Sequence, residues 1–504
     1  METTVRIITN AYVAVLYEAD QGMKTTVQQI LSYHVKGYQE MPLYKMGRWD
    51  GTSSFFKWGN SAFPAGFVPY VTGMLRHLGY NVQIQRDPLP APLGVKRAKI
   101  GTYPEDPRYD YQYEAVEKLE RYGQIIACLS VGAGKTRVAQ LAFARIRRPT
   151  LFLTTRALLM YQMKTNFERD LGMPVSVIGD GQFGMDTGEE KLGLFTVAMV
   201  QTLQSRLAGP QPKDDPATKR RKIELKHQTE RMLDQFELLI LEEAHEASGF
   251  GYFDICQRCH NAWYRLALTA TPFMKDDEEA NMRLMASSGP IGIKVTEKQL
   301  IDCGVLARPY FKFVKLTTKP KYLNKRTQWQ SAYRIGIVEN EERNQLIVKE
   351  ALEAAKHKLP VMCLVAHKSH GATLEKMMNS AGLHAAFIFG DNNAEERKQR
   401  LAELKRGEID VLIGSTILDV GVDVPAVGMV ILAGAGKAEV SIRQRIGRGL
   451  RAKKDSPNVC FIVDFDDPFN QYLFNHANQR RAIIETTPGF NEGVVSEFPY
   501  ELFG

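Results

Sequence analysis

The spacing of apolar and polar positions changes character along the chain. Over residues 1–95 the stretches are short and mixed. Val5–Ile8, Tyr12–Tyr17 and Tyr80–Gln85 have the Val, Ile, Tyr and Thr content of strands. Thr25–Tyr33 and Phe67–Leu78 space their apolar residues as amphipathic helices do. These elements predict a small α+β unit. It ends at Asp87-Pro88-Leu89-Pro90-Ala91-Pro92, where three prolines resist regular structure.

From residue 103 to 307 short apolar runs alternate with helical patterns. Ile125–Leu129, Thr150–Leu153, Leu194–Met199, Leu238–Leu241 and Leu266–Leu268 read as buried strands. A charged helix within Pro210–Arg231 interrupts them, with Asp215 as its cap and Pro216 at its first position. Its Lys219–Lys222 run is either a solvated face or a contact to nucleic-acid backbone. The alternation resumes over 308–485, with strands at Val361–Val365, Ala385–Phe389, Val411–Ile413, Met429–Leu432 and Val459–Val463. A helix over Asn470–Glu485 and a tail, 486–504, complete the chain. The pattern predicts an α/β protein: two tandem domains with parallel sheets and crossover helices, behind a small accessory domain.

Composition narrows the class. With 504 residues, 44% hydrophobic and 24% charged, the chain is that of an ordinary soluble globular protein. It lacks an apolar run long enough to span a bilayer, and Met1–Ile8 lacks the order of a signal peptide, so the expected location is the cytoplasm. Six cysteines do not make a disulfide framework at this length. Cys256-Gln257-Arg258-Cys259-His260 matches a haem-attachment pattern by letter and carries half of a zinc site, but haem attachment needs an exported protein and zinc a second ligand pair, so the expectation is a helix over Phe253–Trp263 with small buried cysteines. Net charge is +8, and the first hundred residues hold 11 Lys/Arg against 6 Asp/Glu. That local excess suits a polyanion partner.

The chemistry sits at strand ends. Ile125–Leu129 runs into Ser130-Val131-Gly132-Ala133-Gly134-Lys135-Thr136, and a helix follows. Backbone N–H groups of Gly132, Ala133 and Gly134 cradle phosphates in such a loop. Lys135 reaches the terminal phosphates, and the Thr136 hydroxyl ligates Mg²⁺. The strict pattern has Gly where Leu129 stands. Leu238–Leu241 runs into Glu242-Glu243-Ala244-His245. Paired carboxylates there suit a Mg²⁺-dependent phosphohydrolase, with Glu242 at the metal and Glu243 polarising the attacking water. Late in the chain, Gln444-Arg445-Ile446-Gly447-Arg448-Gly449-Leu450-Arg451 offers cationic forks for a transferring phosphoryl group. Gly434-Ala435-Gly436-Lys437 imitates a phosphate loop without the following Ser/Thr and reads as a turn.

These motifs, in this order and with Leu268-Thr269-Ala270-Thr271-Pro272 between them, resemble those of superfamily 2 helicases and translocases. The resemblance covers about residues 103–485. It implies two RecA-like domains, ATP and Mg²⁺ as cofactors, and nucleic acid as track. It implies that Gln112 reads adenine, and that Asp423 contributes to the nucleotide site. Gln444, Arg448 and Arg451 would face ATP from the second domain. Thr155, Arg156, Gln201, Thr202, Ser415 and Thr416 would touch nucleic-acid backbone. His245, Thr269 and Thr271 would couple the two sites. The first acidic residue is Glu242 where the family usually has Asp.

The whole chain most resembles phage UvsW-type branched-DNA helicases. Tyr44-Lys45-Met46-Gly47-Arg48-Trp49-Asp50-Gly51 looks like their N-terminal aromatic-basic segment, and Ile301–Pro309 like their interlobe junction. This implies a DNA partner, branched or at single-strand/double-strand junctions, with Arg48 in contact with it. Fork regression, branch migration or R-loop and D-loop unwinding would be the outcome, in the host cytoplasm if the chain is phage-encoded. Trp49, Phe55, Phe56 and Trp58 have two readings: rings stacked on bases, or the core of a small domain. Two rivals stand beside the DNA motor: an RNA helicase with the same engine, and a non-motor nucleic-acid binder regulated by ATP.

Overall fold

The computed structural model describes residues 4–101, 105–184, 192–244, 249–273, 277–389, 394–414, 427–436, 443, 446–447, 449–453 and 456–503. The chain forms two compact units: Met1–Leu129 with Gly134–Lys294, and Ser130–Ala133 with Val295–Gly504.

In the first unit, β1 (Thr4–Thr9), β2 (Val13–Tyr17), α1 (Gln21–Ile30), β3 (Ser32–His34), α2 (Pro42–Lys45), β4 (Thr52–Ser54), β5 (Ala62–Pro64), α3 (Val68–His77) and β6 (Asn81–Arg86) come first. They make a sheet of order β5-β2-β1-β6 and a β3-β4 ribbon. Strand β1 alternates strictly, turning Val5, Ile7 and Thr9 inward. Helix α1 differs from the sequence expectation, starting at Gln21 and stopping at Ile30. The Asp20 carboxylate accepts from Met23 N at 2.7 Å and caps the earlier start, while Ser32 already pairs with Ser54. Phe56 is buried, and Phe55 and Trp58 pack against the same core. For these rings the structural role is the observed one.

The larger sheet of this unit is built from β7 (Gln124–Leu129), β8 (Thr150–Thr154), β9 (Ser176–Gly179), β10 (Gln182–Gly184), β11 (Phe195–Met199), β12 (Leu238–Glu242), β13 (Tyr264–Thr269) and β14 (Ile291–Val295). Its order is β10-β9-β11-β8-β12-β13-β7-β14, and β9, β11, β8, β12, β13 and β7 are joined by parallel pairings. Its helices are α4 (Asp110–Tyr122), α5 (Lys135–Ile146), α6 (Ala157–Leu171), α7 (Val200–Leu207), α8 (Pro216–Leu233), α9 (Phe250–Arg258) and α10 (Glu278–Ser288). Helix α8 is the expected charged helix, and Asp215 accepts from Ala217 N and Thr218 N. Helix α9 stops at Arg258, short of Trp263. The fully buried Arg265 takes its end apart: it donates to the carbonyls of Cys256, Cys259 and Ala262 at 2.9–3.0 Å. Both cysteines are buried, and burial pushes the Cys256 thiol up to about 11.

The small sheet and the large one share a core through α10. Ala286 belongs to the N-terminal cluster. Gly66 lies so close to α10 that a Cβ there would meet Met285 O at 2.2 Å. At the other end of α10, Lys36 pairs with Asp277 at 3.0 Å and His34 N donates to Glu278 at 3.1 Å.

The second unit carries α11 (Glu297–Asp302), β15 (Arg308–Lys315), α12 (Trp329–Tyr333), α13 (Glu341–Lys356), β16 (Val361–Leu364), α14 (Lys368–Ser380), β17 (Ala385–Ile388), α15 (Ala394–Arg406), β18 (Val411–Gly414), β19 (Met429–Ile431), β20 (Val459–Asp466) and α16 (Gln471–Thr486). Its sheet, β15-β20-β19-β16-β18-β17, is parallel throughout. Two RecA-like parallel sheets and a small α+β domain are thus the architecture. The second core encloses charge. Arg343 bonds Asp467 at 3.2 Å and Arg480 bonds Asp464 at 2.8 Å, all four being at most 3% exposed.

Candidate ATPase site

Strand β7 delivers the chain to the phosphate loop, and α5 leaves it. Gly132 and Gly134 hold φ of +86° and +80°, conformations that glycine adopts without strain. Ala133 is buried, and its N–H donates to Ser130 O at 3.1 Å to close the turn. A Cβ on Gly134 would lie 2.5 Å from Gln112 Nε2, so glycine is what lets the buried Gln112 of α4 reach the loop. Lys135 and Thr136 open α5, where the helix N-terminus favours an anion.

Strand β12 ends at Glu242, and Glu243 turns away with φ of +44°. Its Oε1 lies 3.7 Å from Lys135 Nζ. Lys135 and Glu243 therefore meet beside the glycine loop. Strained backbone at a carboxylate of this kind is common where function fixes it. The Tyr252 hydroxyl braces the strand ends, donating to Leu153 O at 3.0 Å and lying 3.4 Å from Glu242 O.

The remaining motifs of this unit share the same sheet edge. Thr269 ends β13 and is buried, and its Oγ1 accepts from Thr271 N at 3.2 Å. Cys128 of β7 contacts Ala270 O at 3.5 Å, which ties the phosphate-loop strand to that segment. Thr155 and Arg156 follow β8. Gln201 of α7 donates to Thr155 O at 3.0 Å, while Thr202 is its neighbour. In the second unit Arg451 is exposed and bridges to Leu306, and Arg443 pairs with Glu297 at 2.9 Å. Arg48 is exposed. His245, Ser415, Thr416, Asp423, Gln444 and Arg448 lie outside the described residues.

Among the described residues no three His, Cys, Asp or Glu side chains gather into a metal cage. Mg²⁺ does not require one: it keeps waters and takes one or two protein oxygens beside phosphates. The glycine cradle and the oxygen donors Thr136 and Glu242 fit that chemistry. Tyr252 and Cys128 carry no sequence signal for their parts. Arg443 immediately precedes the Gln444–Arg451 run in sequence, and its arginine letter is the signal for its part.

Comparison with known families agrees with this edge. Residues 106–274 match the model described as type III restriction enzyme, res subunit, and 322–453 the helicase conserved C-terminal domain. Residues 4–85 match the N-terminal domain of DNA helicase UvsW. The chain is a superfamily 2 helicase, and it resembles UvsW. A relative named putative helicase 22, from Sulfolobus islandicus filamentous virus, is 25% identical over 250 residues, covering 48% of this chain and 43% of its own length. The DNA 3'-5' translocase XPB2 of Sulfurisphaera tokodaii is 24% identical over 388 residues, 70% and 81% of the two chains. The match thus spans less than half of the first relative and most of the second. Among solved structures, T4 UvsW covers 98% of this helicase and 99% of its own chain at 18% identity and TM-score 0.47. An HsdR subunit fragment from Vibrio vulnificus YJ016 covers 75% and 66% at 17% identity and TM-score 0.52, a likeness of fold. Among the described residues of this helicase no helix is long and apolar enough to cross a membrane.

Proposed function

We propose that this superfamily 2 helicase is an ATP-dependent DNA translocase that remodels branched DNA. The observation that carries the motor is the meeting of Lys135 and Glu243 at 3.7 Å beside the glycine loop. Thr136 and Glu242 would hold Mg²⁺, which would supply positive charge beside the terminal phosphates. Lys135 binds those phosphates, and Glu243 orients and polarises the attacking water. Gln444, Arg448 and Arg451 supply the second domain's contribution to the nucleotide, with Asp423, and Gln112 selects adenine. Thr155, Arg156, Gln201, Thr202, Ser415 and Thr416 hold the strand by its backbone, and His245, Thr269 and Thr271 relay between nucleotide and strand. Support for DNA comes from the relatives' names, and support for branched substrates from the UvsW N-terminal match over residues 4–85. The accessory domain (1–95), the first motor domain (103–307) and the second (308–485) then divide the work. Acting on forks, junctions, R-loops or D-loops suits phage recombination and repair.

The test is ATPase and unwinding on a matched panel of fork, four-way junction, R-loop, plain duplex and single-stranded RNA. Forked or junction DNA should stimulate turnover most, and stimulation by RNA alone overturns the DNA reading. Glu243→Gln should lower turnover by about 10²- to 10⁴-fold, the usual contribution of a general base, while nucleotide binding persists. Unchanged turnover in that variant rejects the assignment of Glu243.

A further inference from the structure

The second sheet contains a reversal. Strand β16 continues through α14 to β17, on its β18 side, whereas β19 continues to β20 on the other side. Neighbouring parallel strands whose connections part in this way leave a crevice at their carboxyl ends, where open α/β sheets bind ligands. A cavity of about 960 Å³ opens there, between the segment after β16, the turn after β19 and helix α12.

Its floor is held in place. Ala435 has φ of +51° and Gly436 of +118°, a strained geometry for alanine. Three side chains grip carbonyls of this turn: Arg343 Nη1 donates to Ala433 O at 2.6 Å, the Tyr333 hydroxyl to Gly434 O at 2.5 Å, and Arg480 Nη1 to Gly436 O at 3.1 Å. Both guanidiniums are buried and anchored on Asp467 and Asp464. A buried ion network contributes little net stability, and positioning is the role it suits. Gly434 touches the neighbouring strand exit, since a Cβ would meet Ala366 N at 2.6 Å.

One wall is aromatic. His367, Tyr333, Trp329 and His476 follow one another in tilted ring contacts with centroid separations of 4.9, 5.4 and 4.6 Å. Trp329 stays 36% exposed and lines the cavity. The rim carries Glu339 and Glu341. Glu339 is answered by Arg334 at 2.7 Å. A flat heteroaromatic ring suits the aromatic wall, and because Arg334 is engaged by Glu339 while Glu341 adds negative charge, the rim offers a phosphate little.

Resting on the translocase reading, we propose that this crevice receives a nucleobase turned out of the bound strand, stacked on Trp329 with its phosphates outside. The pocket gives the second domain a grip on the base, beside its grip on the backbone. Because every base has a π-face, the grip tolerates any sequence.

The test compares a single-stranded oligonucleotide with its abasic counterpart of equal length and charge, using the full chain. Base–aromatic stacking predicts that wild type binds the abasic strand about 5- to 150-fold more weakly. Trp329→Ala should lose the same factor on the normal strand and leave abasic affinity unchanged, and Trp329→Phe should recover most of the loss. 2-Aminopurine in the normal strand should be quenched on binding to wild type, which keeps the test open should Trp329→Ala not fold. Free AMP and CMP, added with the ATP site saturated by a non-hydrolysable analogue, distinguish the source of the base. Tight binding of the monophosphate with no preference for normal over abasic DNA overturns the proposal, as does an unquenched 2-aminopurine. DNA stimulation of the wild-type ATPase is measured in parallel. Its absence rejects the translocase reading, whereas stimulation with equal abasic binding rejects the base pocket alone.

Discussion

Replacing Gly134 by alanine separates two reasons for a glycine in the phosphate loop. The first is conformational: φ is +80° and ψ is 47° at this position. A side chain there costs about 1–2 kcal/mol, from the approach of Cβ to the following carbonyl. The second is steric, because the new Cβ would lie 2.5 Å from Gln112 Nε2. Gln112 is buried on α4, so its amide must be pushed from its seat. Gln112→Ala vacates that seat and leaves φ untouched. Gly134→Ala should therefore destabilise the first unit by more than about 2 kcal/mol in the wild-type background and by only about 1–2 kcal/mol beside Gln112→Ala, the difference being the collision. Urea unfolding of the four proteins, followed at the transition of the first unit, measures it. Fluorescent-nucleotide titration measures the consequence for the loop. A displaced amide cradle should weaken binding at least about tenfold, or roughly 1.4 kcal/mol. Equal destabilisation in both backgrounds would show that Gln112 does not occupy the loop. Undiminished nucleotide affinity would remove the cradle itself from the argument.

Three further outcomes follow from the same structure. Asp464→Ala takes the nearer carboxylate from the buried Arg480, leaving Asp467 at 3.5 Å, and should cost about 3–5 kcal/mol in urea unfolding of the second unit. The double variant with Arg480→Met should regain a large part. His370 is buried, and burial together with nearby Arg343 and His367 pushes its pKa from 6.5 to about 3. The unfolded chain therefore takes the proton first as pH falls, and stability is lost between pH 6.5 and 3, at up to about 1.4 kcal/mol per pH unit. His370→Gln should remove that slope from the second unit's unfolding profile, and an unaltered profile contradicts a buried neutral imidazole. Arg48→Ala should weaken single-stranded DNA uniformly across sequences and flatten the log–log salt slope by about 0.7. A sequence-dependent loss with the slope unchanged assigns Arg48 to something other than phosphate.

What could be read from the sequence follows from how each residue type is ordinarily used. Strands β7, β8, β11, β12 and β13 are buried along most of their length, so each is a run of apolar letters ending where a motif begins. Strand β14 buries only alternate residues, and β15, at a sheet edge, begins Arg308-Pro309 and mixes lysines with aromatics. Neither stands out from its flanks. The glycine loop was legible because few residues tolerate its backbone, and the paired glutamates because they close an apolar strand. Arg265, Arg343 and Arg480 are the opposite case. Arginine is ordinarily a surface residue, and the carboxylate that answers Arg343 lies 124 positions further on. No local pattern marks such a pair. It is visible only when the second sheet has brought β20 beside β19, and there it holds the turn that the letters Gly434-Ala435-Gly436 had made resemble a second phosphate loop. The same three residues thus have a physical explanation that motif matching could not supply. Gly434 is glycine because a Cβ would strike Ala366 N at 2.6 Å, and Gly436 because its φ is +118°, at the point where the sheet reverses.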